Sequence, residues 1–107
     1  MRGDKRGMIT VLMKVKDPCP ISKCAQLLSD PWTMMIARDI LKKPQRFCEL
    51  ERSLQGISTR TLTIKLKNLE HQGIVRKTSD GAYEATTKGR GLKAVERAME
   101  AYGRKYL

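Results

Sequence analysis

The chain has 107 residues, 40% of them hydrophobic and 31% charged, which suits one packed domain and excludes both a second domain of ordinary size and a disordered polymer. Lys and Arg outnumber Asp and Glu by 22 to 11, a net charge of +11, where solubility alone asks for about 2–8 on a small domain. Such a field points to a polyanionic partner, nucleic acid ahead of anionic membrane or acidic protein.

No apolar run approaches the ~20 residues of a membrane span, and the stretch from Met8 to Met13 is too short for a signal-peptide core, so the expectation is a cytoplasmic protein without a membrane partner. Cys19, Cys24 and Cys48 are odd in number and irregular in spacing, unlike a disulfide framework, and reduced thiols are expected. His71 is the only histidine and no Cys-x-x-Cys occurs, so neither a metal site nor a cofactor is expected.

Residues 1–16 carry five basic residues, two glycines and one short apolar patch, and read as a basic N-terminal arm. The folded part is expected over 17–107. Pro18 and Pro20 fix an extended entry and a first helical turn, after which Ile21, Cys24, Ala25 and Leu28 recur as one stripe, predicting a helix over about 20–29 with Cys24 facing the core. Asp30-Pro31 repeats the start signal, and Trp32, Met35, Ile36 and Ile40 predict a second helix, with Trp32 as core, ending near Lys42 before Pro44.

Beyond an extended link at Gln45 and Arg46, Phe47, Leu50 and Leu54 mark a short third helix stopped by Gly56. Ser58 is a fresh N-cap, and a fourth helix over about 59–72 buries Leu62, Leu66 and Leu69 before Gly73. Residues 74–77 and 82–85 flank Thr78-Ser79-Asp80-Gly81, whose Asp-Gly step predicts a β-hairpin. Thr87 is expected to cap a last helix from 88 to about 106.

This order is mainly α with a small β-hairpin, that of a winged helix-turn-helix, in which the second helix of the pair enters the DNA major groove and the hairpin lies along the backbone. At 100° per residue Arg60, Ile64, Lys67 and His71 point away from the three leucines, with Thr61, Lys65 and Asn68 on one flank and Thr63 on the other. Arg60 suits guanine O6 and N7, Thr63 and Ile64 offer methyl groups to thymine, and Lys65 and Lys67 suit phosphates. Residues 57–77 hold five bases and one acid, which a merely solvated face would mix more evenly. Arg76 and Lys77 lie on the strand that leaves the recognition helix, where phosphates or a minor groove come within reach, while Asp80 at the tip is unfavourable there. The expected DNA contacts are therefore Ser58, Thr59, Arg60, Thr61, Thr63, Ile64, Lys65, Lys67, Arg76 and Lys77.

With these residues in hand the chain resembles the HxlR-type winged helix-turn-helix transcriptional regulators. The resemblance runs over about 19–91 and rests on Cys19-Pro20, the Trp32-Thr33-Met34-Met35-Ile36 segment with Arg38 and Leu41, Arg46-Phe47-Cys48-Glu49-Leu50, and the run from Gly56 through Glu70 to Gly73-Ile74-Val75. Asp30-Pro31 and Cys48 depart from the family pattern, outside its DNA-binding half. The resemblance implies a homodimer on a palindromic duplex-DNA operator, with the N- and C-terminal helices as its interface. Leu92, Val95, Met99, Tyr102 and Tyr106 step 3, 4, 3, 4 and read independently as a helix-pairing seam. Cys19 resembles the N-terminal cysteine through which some members sense oxidants or electrophiles, and a helix N-terminus favours a thiolate there. No residue pattern names an effector.

Two other readings share the charge. An RNA-binding module would need stacking aromatics, whereas one Phe, one Trp and three Tyr sit mostly on apolar stripes. A winged-helix protein-interaction module would share the element order. An enzyme would need a nucleophile with its base, a carboxylate pair or a phosphate-binding glycine loop, none of which stands at usable spacing.

Overall fold

The computed structural model describes residues 17–28 and 30–107, so the predicted N-terminal arm and the last residue expected of the first helix lie outside the described residues. The chain divides into two compact units, the second beginning at Trp32.

In the first unit Cys19, in an extended conformation, caps α1 (Pro20–Leu27). Its carbonyl accepts from Lys23 N at 3.1 Å, and its own N–H donates to Asp17 Oδ1 at 2.9 Å. The expectation that Cys24 belongs to the core is corrected: α1 has no buried residue, Cys24 is half-buried and Ile21 is 79% exposed. An apolar stripe predicts a face that seeks cover, and among the described residues none of α1 reaches full burial.

The second unit starts within α2 (Pro31–Lys42), whose buried side chains are Thr33, Ile36, Ala37, Asp39 and Ile40. The face is turned from the predicted one, leaving Trp32 and Met35 half-buried. Asp39 is tolerated inside because its carboxylate accepts from Ser53 Oγ at 2.6 Å and from Arg38 Nε at 3.1 Å, while its carbonyl accepts from Gln45 Nε2 at 3.1 Å. Paired in this way, a buried carboxylate escapes most of its desolvation penalty.

Pro44 ends the helix, and Arg46 N–H then donates to Glu49 Oε1 at 2.8 Å to open α3 (Phe47–Ser53). Gly56 takes φ +91°, which a residue with a Cβ rarely adopts. Ser58 Oγ accepts from Thr61 N at 3.0 Å and caps α4 (Thr59–His71), whose Leu62, Leu66 and Leu69 are buried as expected. With Ile36, Leu50, Leu54 and Ile74 they form the fully enclosed centre of the core, each contributing roughly 1.5–3 kcal/mol of burial.

Gly73, at φ +76°, turns the chain into β1 (Val75–Lys77), which pairs antiparallel with β2 (Tyr83–Ala85) as Val75 with Ala85, Arg76 with Glu84 and Lys77 with Tyr83. Beyond the predicted hairpin a third segment joins in. Gln45 N donates to Tyr83 O at 2.9 Å and Tyr83 N donates to Gln45 O at 2.8 Å, an antiparallel bridge from the link between α2 and α3.

The expected last helix is two. Thr86, not Thr87, is the cap: its hydroxyl accepts from Gly89 N at 3.0 Å, opening the short α5 (Thr87–Arg90), and α6 (Leu92–Tyr106) follows after Gly91. The shift has a physical cause. Thr86 also binds the start of the hairpin, its N–H donating to Ile74 O at 3.0 Å and its hydroxyl to Gly73 O. That places Gly89 so close to Ile74 that a Cβ there would lie 2.1 Å from the Ile74 carbonyl oxygen.

Candidate nucleic-acid interface

Rotation about α4 separates two faces. Leu62, Leu66 and Leu69 are at most 1% exposed, whereas Arg60, Ile64, Lys67, Asn68 and His71 are exposed and Thr61, Thr63 and Lys65 half-buried on the flanks. Ile64 holds 46% of its surface in solvent, an apolar side chain among cations.

The hydroxyls of the first two turns are engaged locally. Ser58 Oγ caps the helix and donates to Thr61 Oγ1 at 2.9 Å, Thr59 Oγ1 donates to Glu51 Oε2 on α3 at 2.7 Å, and Thr63 Oγ1 donates to Thr59 O at 2.8 Å. The bond from Thr59 to Glu51 ties α4 to α3, while the other two lie within the start of α4. Arg60 and Lys67, by contrast, make no ion pair among the described residues.

On the hairpin, Arg76 Nε is paired with Glu84 Oε2 across the strands at 2.6 Å, with Arg76 still 71% exposed. Lys77 Nζ lies 5.6 Å from the centroid of the Tyr83 ring, a cation–π contact that orders the side chain without neutralising it.

The tip is held from outside the hairpin. Arg46 Nη1 donates to Asp80 O at 2.7 Å and Nη2 meets Asp80 Oδ2 at 3.2 Å. The Asp80 carboxyl sits below the usual carboxylate range, chiefly because the Thr78 hydroxyl bonds to it and then because of the Arg46 charge. Sequence reasoning flagged Asp80 as an unfavourable charge and missed its partner. The two residues stand 34 positions apart, and opposite charge alone does not select one arginine among many.

The expected pairing seam divides. Leu92 is buried in the core at 7% and Val95 half-buried, whereas Met99, Tyr102 and Tyr106 are 52%, 62% and 62% exposed. The exposed part lies beside a groove of about 430 Å³ with Met34, Met35, Arg38 and Lys42 on α2 and Glu96, Met99 and Glu100 on α6. Cations line one wall and carboxylates the other. Arg104 donates to Glu100 at 2.7 Å and holds that carboxyl below its usual range.

Of the thiols, Cys19 and Cys24 are half-buried and Cys48 exposed, and all three are free. Among the described residues no cluster of three metal-binding side chains forms, and no helix is long and apolar enough to cross a membrane.

A family model described as HxlR-like helix-turn-helix matches residues 27–107. The chain belongs to that family. It is thereby a DNA-binding transcriptional regulator with a winged helix-turn-helix fold, as its sequence predicted.

Similar proteins include the uncharacterized HTH-type transcriptional regulator sll1512 of Synechocystis, 33% identical over 95 residues that cover 83% of this chain and 70% of the relative. The HTH-type transcriptional regulator YodB of Bacillus subtilis is 32% identical over 91 residues, covering 78% and 81%. Among solved structures, quinone-bound YodB superposes with a TM-score of 0.76 at 31% identity, covering 82% of this chain and all of that one. The redox regulator HypR in its reduced form gives 0.74 at 25% identity, covering 81% and 92%.

Proposed function

We propose that this HxlR-like chain acts as a homodimer on a two-fold symmetric DNA operator, α4 entering the major groove of each half-site and the β1–β2 hairpin lying on the backbone, in the cytoplasm and without catalysis. The observation that carries the reading is the outward face of α4, where unpaired Arg60 and Lys67 flank an exposed Ile64 while the opposite face is closed by three leucines.

Each side chain has a task set by its chemistry. Arg60, in the first turn, presents a fork of donors to guanine O6 and N7, and Ile64 and the Thr63 methyl group pack on thymine methyl groups. Lys65, Lys67, Arg76 and Lys77 take phosphates. Ser58, Thr59 and Thr61 set the angle of α4 through their local bonds and bring the helix N-terminus to the backbone.

Dimer formation through the C-terminal helix is supported by the exposed row Met99, Tyr102 and Tyr106 beside the groove. Arg38 and Lys42 already face Glu96 and Glu100 across this groove within one copy, and a two-fold axis would bring the exposed row of each copy against that of the other. Cys19 takes the sensing role. Support comes from its place at the N-cap position of α1 with its thiol free and from the quinone-bound and diamide-treated forms in which the relative YodB has been solved.

Selection of genomic fragments by the purified protein, followed by anisotropy titration of the selected duplex, tests the whole. Arg60→Ala should cost about 1–3 kcal/mol on the selected site and relax base preference there, whereas Lys67→Ala should weaken all sequences alike. Failure to enrich any fragment would overturn the reading in favour of a protein-interaction module.

A further inference from the structure

Resting on that reading of the hairpin as a DNA-contacting wing, we infer that Arg46 is a positioning residue for the wing rather than a DNA contact, and that Asp80 is its required partner. Both belong to the same compact unit as α4.

The connection is made at two heights. At the base, Gln45 and Tyr83 exchange both main-chain hydrogen bonds, at 2.9 and 2.8 Å. At the tip, the Arg46 guanidinium spans the Asp80 carbonyl at 2.7 Å and carboxylate at 3.2 Å. Gly81 follows at φ +92°, and a Cβ on it would stand 3.5 Å from Arg46 Nη1, so the turn is built close against the guanidinium. Thr78 closes the turn, its N–H donating to Ala82 O at 2.7 Å and its hydroxyl accepting from Ala82 N while donating to Asp80.

Arg46 thus links two elements that the chain separates by 34 residues. Its own N–H opens α3 through Glu49, and its side chain holds the far end of the hairpin. Since α3 is tied to α4 by Glu51 and Thr59, the strand that carries Arg76 and Lys77 is set relative to the recognition helix by a continuous run of bonds. The pairing also cancels a carboxylate that would otherwise face the phosphates alone. Both partners are substantially exposed, at 51% and 68%, so the connection is of modest strength and works by biasing the wing's position.

The sign of one substitution separates this from a simple charge effect. Asp80→Ala removes an acid and would strengthen binding to a mixed-sequence duplex if charge alone mattered. Positioning predicts the reverse: Asp80→Ala and Arg46→Ala each weaken binding by about three- to tenfold, the span expected of a partly exposed charge-assisted pair. The double variant should be no weaker than either single one, and the slope of log affinity against log salt should stay unchanged, whereas a lost phosphate contact would reduce it by about one. Amide hydrogen exchange at Gly81, Ala82 and Tyr83 should quicken in both variants without DNA.

Tighter binding by Asp80→Ala, or a reduced salt slope for Arg46→Ala alone, would overturn the positioning role. So would unchanged exchange at the tip. If the unsubstituted protein bound no duplex, the DNA reading would fall instead, and the exchange measurement would still decide whether Arg46 holds the tip.

Discussion

Gly89→Ala sets two magnitudes against each other. In an open helix the change would be favourable, since Ala exceeds Gly in helix propensity by about 1 kcal/mol. Here the new methyl carbon would sit 2.1 Å from Ile74 O, 3.0 Å from Ile74 C and 3.3 Å from Ile74 Cγ2. The first two atoms are main chain and cannot rotate away. Either α5 lifts from the hairpin or β1 moves, and both routes strain the bond from Thr86 N to Ile74 O. Overpacking of this kind costs about 1–3 kcal/mol and sometimes more, and each strained hydrogen bond adds roughly 0.5–1.5 kcal/mol. The net loss should be on the order of 2 kcal/mol, a large part of the roughly 5–15 kcal/mol that holds a domain together.

Urea unfolding followed by far-ultraviolet circular dichroism reads the effect as a midpoint lowered by about 1–2 M at unchanged slope. Gly103→Ala is the control, because nothing lies within 4 Å of a Cβ on Gly103 in α6. It should stabilise by about 0.5–1 kcal/mol. Should both substitutions stabilise alike, propensity would govern Gly89 and the close approach of α5 to Ile74 would be refuted.

Other outcomes follow from the same geometry. Ser58→Ala should cost about 1 kcal/mol of stability by removing the acceptor for Thr61 N, measured by the same unfolding curve. Met99→Glu with Tyr102→Glu should turn a dimer into a monomer by sedimentation equilibrium and abolish operator binding; a dimer that persists would move the interface elsewhere. Because the Asp80 carboxyl is lowered from 3.8, its contribution is fully present above that value and is lost as pH falls through the lowered folded-state value. Exchange-corrected tip protection should therefore hold at neutral pH and fade only in acid, and fading near pH 6 would contradict the assignment. Alkylation followed by mass spectrometry, with DNA affinity measured before and after oxidation, tests Cys19: Cys19→Ser should remove the response of DNA binding to oxidants, and an unchanged response would remove the sensor while leaving the regulator.

The elements legible in the sequence were those whose signals are local. Ser58 announces α4 because its oxygen reaches only as far as Thr61, and Gly56, Gly73 and Gly81 mark turns because each takes a positive φ. The period of Leu62, Leu66 and Leu69 defined the outward face of α4 for the same reason. What escaped were partners far apart in the chain. Arg46 with Asp80, Gln45 with Tyr83, and Thr86 with Gly73 and Ile74 are pairings that helical or strand periodicity does not encode. Thr86 and Thr87 are chemically equal as caps, and only the tertiary bonds to the hairpin select the first. Asp39 escaped for a related reason: a carboxylate on α2 reads as solvent-facing until Ser53 and Arg38 are brought to it.

The bridge at Gln45 places β2 in the middle of three paired segments and leaves β1 as a bare margin, with no strand on its other side among the described residues. Unpaired main-chain groups along such a margin invite a second molecule to add its own strand, the first step toward insoluble assemblies. Two features discourage it: β1 is three residues long, and two of the three are Arg76 and Lys77, both exposed. The cations assigned to DNA would thus also guard this edge against strand addition when DNA is absent. Replacing both by valine would do more than weaken a complex, since it would convert the wing into a sticky edge whose self-association grows with protein concentration.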